Sequence, residues 1–358
     1  MVDGNNKIRR IGVLTSGGDS PGMNAAVRAV TREAIARNIR VMAVLKGYRG
    51  LIDGEIVEYD ARAVSNIIDL GGTVLYSDRC DEFKTDAGMK KACDTCKEYE
   101  IDGIVAIGGD GTFRGATDLS RRGIPTIGVP ATIDNDITAS DYTIGFDTAL
   151  NTVLDMVDRL RVTCESHARC SVVEVMGRHA GYIALQAGIA VGAIGIAIKE
   201  IPFCEKECVN RMIESRKNRK RQFIIVVSEG MGEHYAEELA PRIEELTGIE
   251  TRFAKLAHVQ RGGTPTVRDR LLATVMGKRA IELLLDGKKN RVVCIQKDEV
   301  IDLDIEYALN LDRRYKNKMP DEEFLKLSEY DQKSMTEFID QRKKKMTDLY
   351  EIAKEVSI

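Results

Sequence analysis

A chain of 358 residues with 53 Lys and Arg against 56 Asp and Glu has a formal net charge of −3, so no whole-molecule field exists to hold nucleic acid or an anionic membrane. Its length is roughly twice that of a common domain, which predicts two packed domains and excludes a small peptide-binding module. The one CxxC, Cys93/Cys96, has no second pair, and with four histidines and no HExxH the chain offers no dedicated zinc motif.

The start, Met1 to Arg10, has no apolar h-region and runs directly into a strand-like segment, so no signal peptide is expected and a cytoplasmic protein is. The first apolar run, Ile11–Leu14, leads into Thr15-Ser16-Gly17-Gly18-Asp19-Ser20-Pro21-Gly22 and a helix over Met23–Arg37. A glycine-rich turn between strand and helix exposes N–H groups at the positive end of a dipole, where a phosphate fits. The turn matches neither GxGxxG nor GxxxxGK[ST], and alone it is equally a tight connection with no ligand.

A strand over Val41–Leu45 follows, and then Ile104–Ile107, which ends in Gly108-Gly109-Asp110-Gly111-Thr112 ahead of a helix over Thr112–Arg121. Asp110 is either a helix N-cap or an acid placed beside phosphate-binding amides. The strand Thr126–Val129 runs into Thr132-Ile133-Asp134-Asn135-Asp136. Two carboxylates two residues apart at a strand end suit one base and one metal- or water-positioning group, which points to phosphoryl transfer.

Past a helix over Thr148–Thr163, the strand Ser171–Val175 ends in Met176-Gly177-Arg178, an arginine on a glycine-flanked turn able to stabilise a transferring phosphoryl group. Tyr182 to Ile198 is weakly polar, but Gln186 and three glycines break it into a helix (Gly181–Ala190) and a strand (Ile194–Ile198), not a membrane span. Helices over Glu205–Asn218 and Val267–Asp286 and strands over Phe223–Val227 and Val292–Ile295 continue the pattern. Arg169, Arg252, His258 and Arg261 form a donor set for a second, fixed phosphate, although each taken singly is an ordinary residue. From about Pro320 the chain is charged and helix-favouring, which predicts a solvated amphipathic extension that packs loosely or against another subunit.

The apolar runs are too continuous to be one-sided, as expected of strands covered on both faces. The repeated βα pattern predicts an α/β protein of two doubly wound domains with mainly parallel sheets and a helical extension. With these motifs in hand, the chain resembles the bacterial ATP-dependent 6-phosphofructokinase family. The matches are TSGGDxPGMN at Thr15–Asn24, GGT with an arginine at Gly71–Arg79, IGGDGT at Ile107–Thr112, TIDND at Thr132–Asp136, VEVMGRHAG at Val173–Gly181, SEG at Ser228–Gly230 and HxQRGG at His258–Gly263. They stand in family order across roughly residues 8–310.

The resemblance implies a glycolytic kinase that transfers the γ-phosphoryl group of ATP to the 1-hydroxyl of fructose 6-phosphate, with Mg²⁺. It implies an ATP-binding domain over 1–145 and 260–310, a sugar-phosphate domain over 146–259 and 311–333, and a charged tail over 334–358. Asp134 would be the base, Asp136 a supporting carboxylate and Asp110 the Mg²⁺ ligand. Gly18, Arg79, Cys80, Gly109, Gly111 and Thr112 would line the ATP site, Thr132 would bond the transferring group and Arg178 would stabilise its charge. Met176, Gly177 and Glu229 would contact the sugar, and Arg169, Arg252, His258 and Arg261 its 6-phosphate. Arg169 and Arg252 would reach the neighbouring subunit's site, which implies a homotetramer.

Pyrophosphate-using relatives carry an Asp and a Lys where this chain has Gly111 and Ala131, so ATP is the expected donor. Arg28, Arg32, Arg161 and Lys220 match the family's effector-binding bases, for ADP or phosphoenolpyruvate. One further arginine of that set falls at Ala61, beside Arg62, and the acid that helps hold the effector's Mg²⁺ falls at Ile194, so effector binding is expected to be weak, altered or absent. NAD and lipid kinases share a GGDGT turn but lack the TIDND and MGR segments. A non-catalytic sugar-phosphate sensor would lack Asp134, Asp110 or Arg178, and all three are present.

Overall fold

A computed structural model describes residues 8–356; the stretch before Ile8, on which the signal-peptide reading rests, and the last two residues of the tail lie outside it. The chain divides into two compact units. The first comprises the chain up to Ile133, Ile137–Asp147 and Arg261–Gln332; the second comprises Asp134–Asp136, Thr148–Gln260 and the chain from Lys333 onward.

Strands and helices are numbered in chain order. The first unit holds β1 (Arg10–Ser16), β2 (Arg40–Val44), β3 (Ile56–Tyr59), β4 (Gly103–Gly108), β5 (Thr126–Pro130), β10 (Arg291–Gln296) and β11 (Glu299–Asp304). They form one sheet in the order β11-β10-β5-β4-β1-β2-β3. The inner pairs are parallel, whereas the edge strands β3 and β11 run antiparallel to their neighbours. Ile11, Val13, Val105, Ile107, Ile127 and Val129 are at most 1 % exposed, as continuous β-branched runs covered on both faces should be. Ser16 pairs with Gly108, and Gly108 with Pro130, so the turns after β1, β4 and β5 emerge side by side at the carboxyl edge of the sheet. That edge is where an open α/β sheet carries its ligands.

Around this sheet lie α1 (Met23–Ala36), α2 (Tyr48–Asp53), α3 (Asp86–Glu98), α4 (Asp110–Arg121), α9 (Val267–Leu285), α10 (Ile305–Tyr315) and α11 (Asp321–Phe324). Cys93 and Cys96 are both buried on α3, where burial pushes the Cys96 thiol up to about 12; they are ordinary helix residues. The second unit contains β6 (Cys170–Val175), β7 (Gly195–Ala197), β8 (Phe223–Ser228) and β9 (Thr251–Lys255) as an all-parallel sheet in the order β7-β8-β6-β9. Its helices are α6 (Tyr182–Ala190), α7 (Glu205–Lys217), α8 (Tyr235–Thr247) and the greater parts of α5 (Phe146–His167) and α12 (Glu329–Val356).

Three expectations differ from this arrangement. Asp134–Asp136, expected within the ATP-binding domain over 1–145, group with the second unit. Residues 311–332 belong to the first unit, not the sugar-phosphate domain. There α10 buries Ile305, Ala308 and Leu311, Arg121 bridges to Glu306 at 2.8 Å, and Asp312 accepts from the amide and hydroxyl of Thr138 at 3.2 and 2.5 Å. The tail is also not a loose solvated extension. One stripe of α12, Met335, Ile339, Arg342, Met346, Tyr350 and Ala353, is buried, and the Tyr350 hydroxyl donates to the Ile196 carbonyl at 3.2 Å. Its 3.6-residue periodicity is satisfied within its own chain. Among the described residues no helix is long and apolar enough to cross a membrane.

Candidate active site

In the first unit, three turns carry the predicted nucleotide residues. After β1 the backbone becomes left-handed at Gly17 (φ 88°) and Gly22 (φ 102°), and Gly22 caps α1 without offering its first amides a side chain. The Arg261 guanidinium donates to the Asp19 carbonyl at 3.2 Å and lies so close to Gly18 that a Cβ there would stand 2.7 Å from it. The Thr112 hydroxyl donates to the Ser16 carbonyl at 3.0 Å, which fastens the turn after β4 to the turn after β1. Gly109, not Asp110, is the N-cap of α4, and no side-chain cap bond is made. Asp110 instead pairs with Arg114 one helical turn on, at 2.8 Å, which removes the N-cap reading.

Around Asp110 the backbone is bare. A Cβ on Gly111 would meet nothing within 4 Å, and one on Gly109 would meet only Thr132 Cβ at 3.9 Å. Thr132 is buried, and its carbonyl accepts from the Thr143 hydroxyl at 2.6 Å. The loop leading to Arg79 and Cys80 is fastened to this edge at Ser77, whose hydroxyl donates to the Gly17 carbonyl at 2.6 Å. The preceding loop is held by Asn24, whose amide donates to the Leu70 and Gly71 carbonyls while its oxygen accepts from Val74 N. Asn24 was legible only as part of a motif, with no role attached.

In the second unit Asp134 and Asn135 are each 1 % exposed, and Asn135 is left-handed (φ 50°). Arg178 Nε stands 3.3 Å from Asp134 Oδ2. Arg178 is itself left-handed (φ 53°) after Gly177 (φ 139°), a conformation that persists in a bulky residue only when its surroundings impose it. Here the imposing group is Glu229, whose Oε1 accepts from the amides of Gly177 and Arg178 at 3.1 and 2.6 Å. The Met176 amide donates to Gln260, and the Met176 side chain is buried.

Beside Arg178 opens a cavity of about 490 Å³ lined by Glu174, Arg178, His179, Lys199, Glu229, Gly230, Gly232, Glu233 and Lys255. Glu174, buried within an otherwise apolar strand, takes Lys255 Nζ at 2.7 Å. Glu174, His179, Lys199, Glu233 and Lys255 were not singled out from the sequence. A lone acid inside the run Ser171–Val175 was the available signal.

Arg169 and Arg252 stand elsewhere. Both pair with Glu250, Arg169 at 2.7 Å, and hold its carboxyl below the usual carboxylate range, the Arg169 hydrogen bond being the main cause. Arg169 precedes β6 and Arg178 follows it, so the two arginines lie at opposite ends of a strand about 20 Å long. His258 is exposed on the turn after β9, and Asp136 is half-buried. Of the effector set, Arg28 and Arg32 lie one turn apart on α1. In the second unit Arg161 bonds the Val191 carbonyl, and Lys220 lies 5.9 Å from the Phe223 ring centroid with its pKa lowered by burial and by Arg161. Ile194 faces the core and is 1 % exposed.

A family model described as phosphofructokinase matches residues 10–284. ATP-dependent 6-phosphofructokinase of Clostridium tetani is 50% identical over 312 residues, 87% of this chain and 97% of that protein. ATP-dependent 6-phosphofructokinase 1 of Clostridium perfringens is 51% identical over 308 residues, 86% of this chain and 96% of its own length. The structure of phosphofructokinase from Saccharomyces cerevisiae superposes with a TM-score of 0.84 at 32% identity, covering 96% of this chain and 50% of that one. With a family model spanning most of its length and relatives at half identity, the chain belongs to the phosphofructokinase family.

Proposed function

We propose that this protein is an ATP-dependent 6-phosphofructokinase, phosphorylating the 1-hydroxyl of fructose 6-phosphate to give fructose 1,6-bisphosphate in glycolysis. The observation that carries the reading is the buried Asp134 carboxylate with the Arg178 guanidinium 3.3 Å away, on a turn whose amides are pinned by Glu229. Asp134 takes the proton of the 1-hydroxyl, whose oxygen bonds to the γ-phosphorus as the bond from that phosphorus to the bridging oxygen breaks and the electron pair leaves with ADP. Arg178 and Thr132 steady the charge on the moving phosphoryl group, and Asp136 supports the loop electrostatically. The turns at Gly18, Arg79, Cys80 and Gly109–Thr112 hold ATP, while Met176, Gly177, Glu229 and the cavity beside them take the sugar.

Mg²⁺ fits a site with one acid. Among the described residues no cluster of three or more His, Cys, Asp or Glu side chains could hold a metal, but Mg²⁺ binds through one or two carboxylates plus substrate phosphates and water. Asp110, beside bare glycine backbone, would hold it, and the bound ion would neutralise phosphate charge. The open space at Gly111 and the small, buried Ala131 favour ATP over pyrophosphate. A coupled assay with each donor tests this: turnover with ATP and little with pyrophosphate is expected, and the reverse would contradict it. The substrate pair fits work in the cytoplasm.

Arg169 and Arg252 lie at the far end of β6 from Arg178, which supports the reading that they, with His258 and Arg261, complete a site shared between subunits of a homotetramer. Arg169→Ala and Arg252→Ala are each expected to raise the KM for fructose 6-phosphate far more than that for ATP, through loss of a charge-assisted hydrogen bond of about 1.5–3 kcal/mol. Mixing the Asp134 variant with Arg252→Ala, assayed at fructose 6-phosphate well below the raised KM where each alone turns over little, should regain activity in hybrid tetramers. No recovery after verified subunit exchange would remove the shared site.

Arg28, Arg32, Arg161 and Lys220 attract an anionic effector such as ADP or phosphoenolpyruvate. With Ile194 turned into the core no carboxylate from that position can hold a metal, so ADP binding is expected to be weak and insensitive to Mg²⁺. Calorimetry with Mg²⁺ and with a chelator decides, since tight binding that collapses under chelation is incompatible with this arrangement.

A further inference from the structure

We propose that Arg342, on the carboxy-terminal helix α12, is a positioning residue for phosphoryl transfer: it fixes the turn that carries Asp134, which makes the tail a working part of the catalytic unit. The proposal rests on the role given to Asp134 above. Arg342 lies well beyond residue 284, where the family match ends, so no motif of that match supplies it.

The side chain is 9 % exposed in the middle of the buried stripe of α12. Its Nε donates to the Tyr182 hydroxyl at 2.7 Å, and its guanidinium carbon lies 4.9 Å from the centroid of the same ring. Its Nη2 donates to the main-chain carbonyl of Asn135 at 3.4 Å. Asn135 is the residue between Asp134 and Asp136, it is 1 % exposed, and its φ of 50° is left-handed.

A buried carbonyl needs a donor, and a residue with left-handed backbone in a short turn is held by what its two peptide groups bond to. Arg342 is such a donor for Asn135 from outside the turn. Burying a guanidinium is costly unless its N–H groups are used, whereas an apolar side chain would fill the same space without that cost. Ile339 and Met346, on the same stripe, do so. An arginine at this one position bonds groups that an apolar side chain could not, among them a tyrosine hydroxyl and the carbonyl next to the base. Its planar fork spans both acceptors at once, which a point charge cannot do. Farther along α12 the bond from Tyr350 to the Ile196 carbonyl ties the helix to β7, so the donor is presented from a fixed element.

The test uses the full chain and steady-state kinetics with ATP and fructose 6-phosphate. Arg342→Ala is expected to lower kcat by about 10- to 100-fold, because small displacement of a reacting group is costly, while the KM for ATP stays within about two-fold. Millimolar guanidinium ion should return part of the lost kcat, and Arg342→Lys should keep more activity than Arg342→Ala. Tyr182→Phe, which retains the ring and loses the acceptor, should give a smaller fall. Arg342→Ala with native circular dichroism and kcat within about two-fold of wild type would overturn the proposal. If that variant does not fold, Arg342→Lys and Tyr182→Phe decide: unchanged kcat in both overturns it, and reduced kcat at unchanged ATP KM supports it. Inactive wild-type enzyme would sink the functional reading and this proposal with it, whereas active wild type with unaltered Arg342 variants sinks this proposal alone.

Discussion

Asp134→Asn is expected to fold, to bind fructose 6-phosphate, and to lose kcat by about 10²–10⁴-fold, because the attacking hydroxyl has lost its proton acceptor. The substitution keeps the shape of a side chain that is 1 % exposed, so packing around the turn is little disturbed. Asparagine can still accept a hydrogen bond from Arg178 but cannot take the proton of the 1-hydroxyl. Steady-state kinetics together with equilibrium binding of the sugar phosphate separate the two effects. Retained binding with lost turnover supports the assignment, and near-normal kcat in a folded variant removes Asp134 from the mechanism.

The second large effect is expected at Arg178. Arg178→Ala should reduce kcat by about 10²–10³-fold, the scale seen when one preorganised donor to developing charge is removed. The backbone around it is prepared for the task, since Gly177 and Arg178 hold positive φ and both amides are fastened to Glu229. Arg178→Lys should recover little, because an ammonium cannot reproduce the planar fork of a guanidinium. Full kcat in Arg178→Lys would mean that only a diffuse positive charge is required there.

The core strands were legible because they are covered on both faces: Ile104–Ile107, Thr126–Val129 and Phe223–Val227 are unbroken apolar runs, and each is a strand within a residue or two of its expected ends. Three strands escaped that criterion. Ile56–Tyr59, Thr251–Lys255 and Glu299–Asp304 are edge strands whose sequences mix charged and apolar residues, so no continuous run announces them. The helix over Tyr235–Thr247 carries Pro241 inside it, which weakens the helical signal.

The turns were legible for a different reason, since glycine beside acid has few bland explanations and the motifs recur in order. The partners that hold those turns were not. Asn24 bonding the loop at Leu70–Val74, Glu229 bonding the amides of Gly177 and Arg178, and Arg342 bonding Asn135 all join residues from about fifty to more than two hundred positions apart. No local pattern encodes such pairs. The tail shows the same limit: its charge suggested solvent, while the apolar residues and the one arginine that bury it are spread at helical spacing through that charge.

The most direct measurement follows the phosphorus. Enzyme incubated with fructose 6-phosphate and ATP labelled in the γ-phosphoryl group should yield label only on the 1-phosphate of fructose 1,6-bisphosphate, with one ADP formed per label transferred. Label in inorganic phosphate alone, label at another position of the sugar, or turnover that requires pyrophosphate in place of ATP would contradict the account.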